Sequence, residues 1–230
     1  MSGAQDTAAT ATDDSALRAA GSMQAPPDAD GRDGERGEGS APAVLFVGTS
    51  LTAGYGLQHE EAYPALIQRR IDSLGLNYHV VNAGVSGETS ADARRRIGWL
   101  LRGQRADIVV IETGANDGLR GLSVDTLRAN VGAIIDSVRA VRPQAEILLV
   151  AMEAPPNLGS RYTAEFREVY PEVASEKGVV LVPFLLAGVA GIPSLNQQDG
   201  IHPNARGERI VAENVWRTLR DALVPVRPEG

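Results

Sequence analysis

The sequence has no cysteine, few histidines and no long apolar run, and each absence excludes a class of site. Without cysteine, the 230-residue chain has no disulfide, no thiolate zinc site and no cysteine nucleophile. Only three histidines are present, so a mononuclear zinc site is not expected either. No apolar stretch reaches the length of a membrane span. The sequence therefore predicts a chain with no integral membrane segment.

Aromatic content and charge argue against a nucleic-acid partner. Aromatic residues make up 4% of the chain and the net charge is −7, whereas a nucleic-acid-binding face combines basic groups with stacking aromatics. The densest basic cluster is Arg94, Arg95 and Arg96, and such a run is typical of a solvated helix face. No nucleic-acid partner is therefore expected.

Residues 1–40 differ in composition from the rest of the chain. They carry eight acidic residues against three arginines and almost no large apolar side chains. Such a segment buries too little apolar surface to offset its loss of conformational entropy. The composition predicts a disordered acidic tail or linker at 1–40, followed by one domain at 41–226.

The start of the sequence also bears on the compartment. It lacks the charged beginning and apolar core of a signal peptide. As written, the chain is expected in the cytoplasm; a periplasmic or secreted protein is the alternative if an export signal is missing from this sequence.

From Ala41 onward, short apolar runs alternate with longer amphipathic stretches, which predicts an α/β fold. Runs rich in Val, Ile and Leu predict strands at Ala43–Val47, Tyr78–Asn82, Asp107–Glu112, Glu146–Ala151 and Val179–Val182. Helical spacing and stop signals predict helices at Tyr63–Leu74, Ser90–Leu101, Val124–Val141, Ala164–Lys177 and Asn204–Leu223. The expected architecture is a three-layer α/β/α sandwich with a mostly parallel five-stranded sheet.

Residues with catalytic chemistry follow the carboxyl ends of these strands, where ligands bind in such sheets. Ser50 follows the first strand in V-L-F-V-G-T-S-L-T-A-G-Y-G, and Asp199 and His202 lie in D-G-I-H-P before the last helix. A serine becomes a nucleophile when a histidine takes its proton and a carboxylate orients that histidine. His202 has such a carboxylate three residues before it, whereas His59 and His79 do not.

Each of these residues also has an ordinary structural interpretation. Most serines in such positions cap helices, the Asp-Gly pair before His202 is a common turn, and Ser86 in G-V-S-G is a rival nucleophile. The spacing around Ser50 is not the G-x-S-x-G elbow of α/β-hydrolases. A Walker loop and a G-x-G-x-x-G fingerprint are also absent.

Two further residues are candidates for an oxyanion hole. Asn116, in T-G-A-N-D-G after the third strand, offers an amide donor to the oxyanion of a tetrahedral intermediate. Gly87 would add a backbone N–H group because glycine lets the main chain approach a substrate closely. The N–H group of Ser50 would be a third donor. A simple polar turn is the alternative interpretation of T-G-A-N-D-G.

Four segments, in this order, resemble the signature blocks of the SGNH (GDSL-type) hydrolases. They are G-T-S-L-T-A-G-Y-G, N-A-G-V-S-G-E-T-S, E-T-G-A-N-D-G-L-R-G and Q-D-G-I-H-P. The resemblance spans Val44 to Leu223 and is strongest to the bacterial arylesterase, lysophospholipase and acyl-thioesterase branch. It implies a flavodoxin-like α/β/α domain. The family is named after an aspartate that precedes the nucleophile, and this chain has Thr49 there.

The resemblance also implies a role for each candidate residue. Ser50 is the implied nucleophile, His202 the general base and Asp199 the carboxylate that orients it. Ser50, Gly87 and Asn116 are the implied oxyanion donors.

The implied reaction is hydrolysis of small-molecule carboxylic esters, with aryl or short-to-medium acyl groups, through an acyl-enzyme that needs no metal or cofactor. An acyl-thioesterase or lysophospholipase with the same site is the alternative, and a non-catalytic ligand-binding flavodoxin-like module is the alternative of another class. The segments Glu153–Arg161 and Leu185–Leu195 are expected to border the acyl pocket. A monomer and a small homo-oligomer are both compatible with the sequence.

Overall fold

A five-stranded parallel sheet organises the part of the chain that the computed structural model describes, residues 41–223. Its strands are β1 (Ala43–Gly48), β2 (His79–Gly84), β3 (Ile108–Ile111), β4 (Glu146–Val150) and β5 (Val180–Val182). The strand order is β2-β1-β3-β4-β5, and every neighbouring pair is parallel. This is the flavodoxin-like order, in which the chain reverses direction across the sheet between β1 and β3.

Helices cover both faces of the sheet. They are α1 (Ser50–Ala53), α2 (Tyr63–Ser73), α3 (Ser90–Gly103), α4 (Ala115–Leu119), α5 (Val124–Val141), α6 (Ser160–Lys177) and α7 (Ala205–Ala222). One layer contains α3, α5 and α6, which pack side by side, and α2 packs against α7 in the other. The predicted three-layer α/β/α sandwich is therefore confirmed. None of the helices within residues 41–223 is long and apolar enough to cross a lipid bilayer.

The differences from the predicted elements are local. The short helices α1 and α4 were not expected, because four or five residues are too few to show a helical period. Helix α6 begins at Ser160 rather than Ala164, since its first turn is polar and carries no apolar signal. The predicted tail at 1–40, like residues 224–226 of the predicted domain, lies outside the described residues and stays a prediction.

The central strands form the core. Val44 to Val47 and Ile108 to Ile111 are buried, because helices cover them on both sides and apolar side chains are therefore favoured at every position. The ring of Phe46 packs edge-on against that of Tyr63 on α2, with centroids 5.6 Å apart. This packing fixes the carboxyl end of β1, where Ser50 follows.

A buried carboxylate joins the two helices of the α2–α7 layer. Helix α2 begins after Ala62, which has no side chain able to cap it, so its first N–H groups need other acceptors. Glu208 on α7 supplies one, since its Oε2 accepts the Tyr63 N–H at 2.7 Å. Burial raises the pKa of Glu208 to about 8, against the lowering effect of this hydrogen bond.

Replacing Glu208 with glutamine is expected to remove a pH dependence of stability. The pKa of Glu208 is higher in the folded protein than in the unfolded chain, so protonated Glu208 stabilises the fold. This stabilisation is fully present below about pH 4.3 and is lost as the pH rises to about 8. The free energy of unfolding falls by at most about 1.4 kcal/mol per pH unit in that range. The amide of Glu208→Gln keeps the acceptor for Tyr63 and does not titrate. Urea unfolding of both proteins from pH 5 to 9 measures this, and a constant difference in unfolding free energy would contradict it.

Candidate active site

Ser50 lies at the start of α1, on a tight turn that leaves β1. Thr49 caps the helix with its side-chain oxygen, and Gly54, with a φ of 71°, ends it. At Gly48 an added Cβ would lie 2.0 Å from the Thr52 Oγ1 atom, so the turn closes only because this residue has no side chain. Ser50 is consequently held at the floor of a cleft above the sheet, with 9% of its surface exposed.

His202 connects Ser50 to Asp199 through both nitrogens of its ring. Its Nε2 lies 2.9 Å from Ser50 Oγ, and its Nδ1 lies 2.7 Å from Asp199 Oδ2. The other oxygen of Asp199 accepts the N–H groups of Ile201 and His202, at 2.9 and 3.0 Å. The segment before α7 is thus a turn folded around the Asp199 carboxylate, and the three side chains form one hydrogen-bonded chain.

The charge of Asp199 is stabilised where it lies. Partial burial raises its pKa, but the hydrogen bonds from His202 and Ile201 lower it more, and the pKa falls to about 2. Asp199 is therefore ionised at neutral pH. An ionised acceptor holds the proton of the imidazole on Nδ1, which leaves Nε2 as the acceptor that faces Ser50.

Two residues that the sequence did not single out hold the histidine loop. The ring of Tyr55 lies over that of His202, with centroids 4.7 Å apart. The Gln197 side chain donates to the carbonyls of Tyr55 and Pro203, at 2.6 and 3.0 Å, and an added Cβ on Gly56 would lie 2.3 Å from its Oε1. Gln197 therefore joins the loops on either side of the imidazole. Nothing in the sequence distinguishes it from Gln198, because its role arises from packing between distant segments.

The three predicted oxyanion donors lie on three segments: Ser50 on α1, Asn116 on α4 and Gly87 on the loop after β2. Asn116, on α4, lines the cleft, and one of its two amide hydrogens is donated to the Glu88 carbonyl at 2.9 Å. Gly87, with a φ of 79°, lies on the loop beside Asn116 but is not part of the cleft lining. Within residues 41–223, the backbone N–H groups of Ser50 and Gly87 have no recorded acceptor.

Helix α4 fixes the loop that carries Gly87. Arg120 donates to the Gly87 carbonyl at 3.1 Å. The buried Asp117 carboxylate accepts the N–H and the hydroxyl of Ser90, at 2.8 and 2.6 Å. These contacts, together with that of Asn116, join α4 to the loop after β2 and to the start of α3. The structure therefore brings Ser50, His202 and Asp199 into direct contact, with Asn116 on the cleft wall and Gly87 next to it.

The cleft beside Ser50 is predominantly apolar. It has a volume of about 400 Å³ and its lining includes Leu51, Leu119, Met152, Pro155, Pro156, Phe184, Leu186 and Ile201. Both segments predicted to border an acyl pocket contribute to it, through Glu153 to Pro156 on one side and Leu186, Ala190 and Gly191 on the other. The described residues contain no cluster of three or more side chains suited to hold a metal ion.

Comparison with known proteins decides the family. Residues 46–210 match the model of the GDSL-like lipase/acylhydrolase family. This chain belongs to that family. Among GDSL-like relatives, esterase TesA of Pseudomonas aeruginosa is 41% identical over 186 residues, which cover 81% of this chain and 92% of that protein. An arylesterase of Vibrio mimicus is 34% identical over 76% of this chain and 87% of that protein.

A solved GDSL-like structure agrees with these relatives. The SGNH-hydrolase family esterase AlinE4 superposes with a TM-score of 0.66 at 40% sequence identity, and the match covers 82% of this chain and all of that one. The sequence-based family assignment is thus confirmed. This GDSL-like chain is a carboxylic ester hydrolase, and its substrate is a small-molecule ester.

Proposed function

We propose that this chain hydrolyses aryl esters and esters of short-to-medium acyl chains, with Ser50 as the nucleophile, His202 as the general base and Asp199 as its orienting carboxylate. The observation that carries the proposal is the continuous hydrogen-bonded chain from Ser50 Oγ to Asp199, at 2.9 and 2.7 Å, which opens on an apolar cleft.

Acylation begins at the serine. His202 Nε2 takes the hydroxyl proton as Ser50 Oγ attacks the acyl carbonyl carbon, and a tetrahedral intermediate forms. The protonated imidazole then gives that proton to the leaving alkoxide or phenolate, which departs as the alcohol. Deacylation repeats these steps with water, which His202 deprotonates, and the carboxylic acid product leaves Ser50 free.

The negative oxygen of each intermediate requires donors that are in place beforehand. The N–H group of Ser50, the N–H group of Gly87 and the second amide hydrogen of Asn116 are the proposed donors. The free N–H groups of Ser50 and Gly87 support this assignment, as does the tether from Asn116 to Glu88. Loss of one such donor generally costs roughly 100- to 1000-fold in rate.

The acyl group is the part of the substrate that suits the cleft. The lining is mostly carbon, and Pro155 and Pro156 restrict the backbone of one wall. Each methylene group that becomes buried there is worth about 0.8 kcal/mol. A pocket of this kind favours an acyl chain or an aromatic ring over a polar group.

The experiment is a series of p-nitrophenyl esters from acetate to palmitate, with the acyl thioester of each chain length alongside. We expect kcat/KM to be higher for the ester at each length and to peak at a short or medium chain. A consistent preference for the thioester would instead support the acyl-thioesterase alternative. Failure to cleave any ester while the protein stays folded would support the non-catalytic binding module.

A matched pair of variants tests whether this cleft holds the acyl chain. Ala190 and Ala187 are both exposed on the segment after β5, but only Ala190 lines the cleft. Ala190→Phe is expected to move the optimum to shorter chains, with a loss of kcat/KM of about fourfold per excluded methylene. Ala187→Phe should leave the optimum unchanged. The same chain-length profile in both variants would place the acyl chain elsewhere.

A further inference from the structure

A buried glutamate lies directly behind the proposed nucleophile. Glu112 follows β3 and is fully buried. Its Oε2 accepts the N–H and the hydroxyl of Thr49, at 2.7 and 2.9 Å, and the hydroxyl of Thr52 at 2.9 Å. Its Oε1 accepts the Thr49 hydroxyl at 3.1 Å. One carboxylate is thus bound by donors on both sides of Ser50.

The residues around Glu112 give its buried carboxylate both hydrogen-bond donors and space. Burial raises its pKa, while the hydrogen bonds from Thr49 and Thr52 act in the opposite direction. A buried carboxylate is tolerated only when its lone pairs are satisfied, and within residues 41–223 its hydrogen-bond donors are Thr49 and Thr52 of the nucleophile turn. An added Cβ on Gly48 would lie 2.7 Å from the Glu112 Oε2 atom, so this glycine makes the approach possible.

Thr49 is the residue at which this chain departs from the aspartate of the family name. Its hydroxyl donates to Glu112, whereas a carboxyl group at the same place could donate only when protonated. The Thr52 hydroxyl is hydrogen-bonded to the Tyr63 hydroxyl as well, at 2.8 Å. The turn is therefore fixed from β3 and from α2 at the same time.

We propose that Glu112 is a positioning residue for the reaction: through Thr49 and Thr52 it holds the turn that aims Ser50 Oγ at His202. His202 is held by Asp199, whereas the hydrogen bonds of the Glu112 side chain within residues 41–223 go to the serine turn. Glu112 therefore acts on the serine side of the Ser50–His202 pair. A displacement of about 1 Å of a reacting group can cost on the order of 100-fold in rate. The proposal rests on Ser50 as the nucleophile, as set out under Proposed function.

Asp107 provides a matched control at the opposite end of β3. Its carboxylate accepts the N–H of Ala43, at the start of β1, at 2.7 Å, just as Glu112 accepts the N–H that follows the end of β1. Both residues tie β3 to β1, but Asp107 lies at the edge of the sheet remote from Ser50. A purely structural role for Glu112 would make the two residues equivalent in kinetics.

The test compares Glu112→Gln with Asp107→Asn by kcat, KM and urea unfolding on the best p-nitrophenyl ester. We expect Glu112→Gln to lower kcat by roughly 10- to 100-fold with KM unchanged, and Asp107→Asn to lose stability without loss of kcat. Equal kcat in the two variants at matched stability would overturn the proposal.

A second pair keeps the proposal testable if Glu112→Gln does not fold. Thr49→Val removes the hydroxyl donor at nearly constant volume, and Thr49→Ser restores it. We expect kcat to fall in the valine variant and to recover in the serine variant; equal kcat in both would overturn the proposal. Ser50→Ala is assayed in parallel: an active Ser50→Ala enzyme would contradict the proposed nucleophile, whereas an inactive one leaves the comparison at Glu112 as the deciding result.

Discussion

Replacement of Ser50 by alanine is expected to lower kcat on the best p-nitrophenyl ester by about 10⁶-fold, the size of loss seen when a nucleophile of this kind is removed. In the described part of the chain the Ser50 hydroxyl makes one side-chain hydrogen bond, to His202, so its removal leaves the turn and the cleft intact. The residual rate would come from the oxyanion donors and substrate binding, which still act without the nucleophile. Steady-state hydrolysis and urea unfolding of both proteins provide the measurement.

Ser86 supplies the control for this prediction. It is exposed on the loop before Gly87 and is the rival nucleophile that the sequence offers, but the His202 ring is hydrogen-bonded to Ser50 and Asp199. Ser86→Ala should keep wild-type activity, and a fluorophosphonate should label the wild type on Ser50 alone. Label on Ser86, or an active Ser50→Ala enzyme, would contradict the assignment.

The elements that sequence predicted best are those in which the local pattern and the tertiary environment favour the same structure. The strand β1 is apolar at every position because helices cover both of its faces, and the predicted bounds of α5, Val124–Val141, are those of the structure. Helix α4 contains Asn116 but has only five residues. Its ends depend on contacts with the Gly87 loop, which no local pattern encodes.

Within the active site, too, some contacts follow from local sequence and others from the tertiary fold. Asp199 and His202 lie three residues apart, so their pairing follows from a single turn and could be predicted locally. Ser50 and His202 are 152 positions apart, and their contact follows from the strand order, which brings the ends of several strands to one edge. Glu112 was predicted only as the end of a strand. Its relation to Thr49 depends on the side chains of two neighbouring strand ends, and the residue types alone do not reveal it.

The two halves of the site are held by different side chains. Glu112 holds the serine turn, and Gln197 holds the histidine loop. Gln197 also donates to the carbonyl of Tyr55, whose N–H group donates to the Ser50 carbonyl, so it links the backbones of the two halves. Within residues 41–223, the catalytic side chains of the two halves meet through the Ser50–His202 hydrogen bond. A change in either anchor alters that one distance, whereas a change in Asp199 alters the chemistry of the imidazole itself.

Asp199→Asn is expected to lower kcat by about 10⁴-fold, although the loop around it should stay folded. The amide oxygen can still accept the N–H groups of Ile201 and His202, which Asp199 Oδ1 accepts at present. The amide nitrogen, however, would donate to Nδ1 and so favour the tautomer with the proton on Nε2. That nitrogen could then no longer take the proton of Ser50.

The pH dependence of stability and of kcat separates the change in the His202 tautomer from a simple loss of the Asp199 charge. The pKa of Asp199 is about 2 in the folded protein and about 3.9 in the unfolded chain. The ionised carboxylate therefore adds stability that is present above about pH 3.9 and is lost as the pH falls towards 2. Loss of wild-type activity at pH values above about 4 therefore does not report protonation of Asp199. We expect Asp199→Asn to match the wild type in urea unfolding at pH 3 more closely than at pH 7, and to stay slow at every pH from 6 to 9. A kcat within about tenfold of the wild type would show that the carboxylate does not set the tautomer of His202.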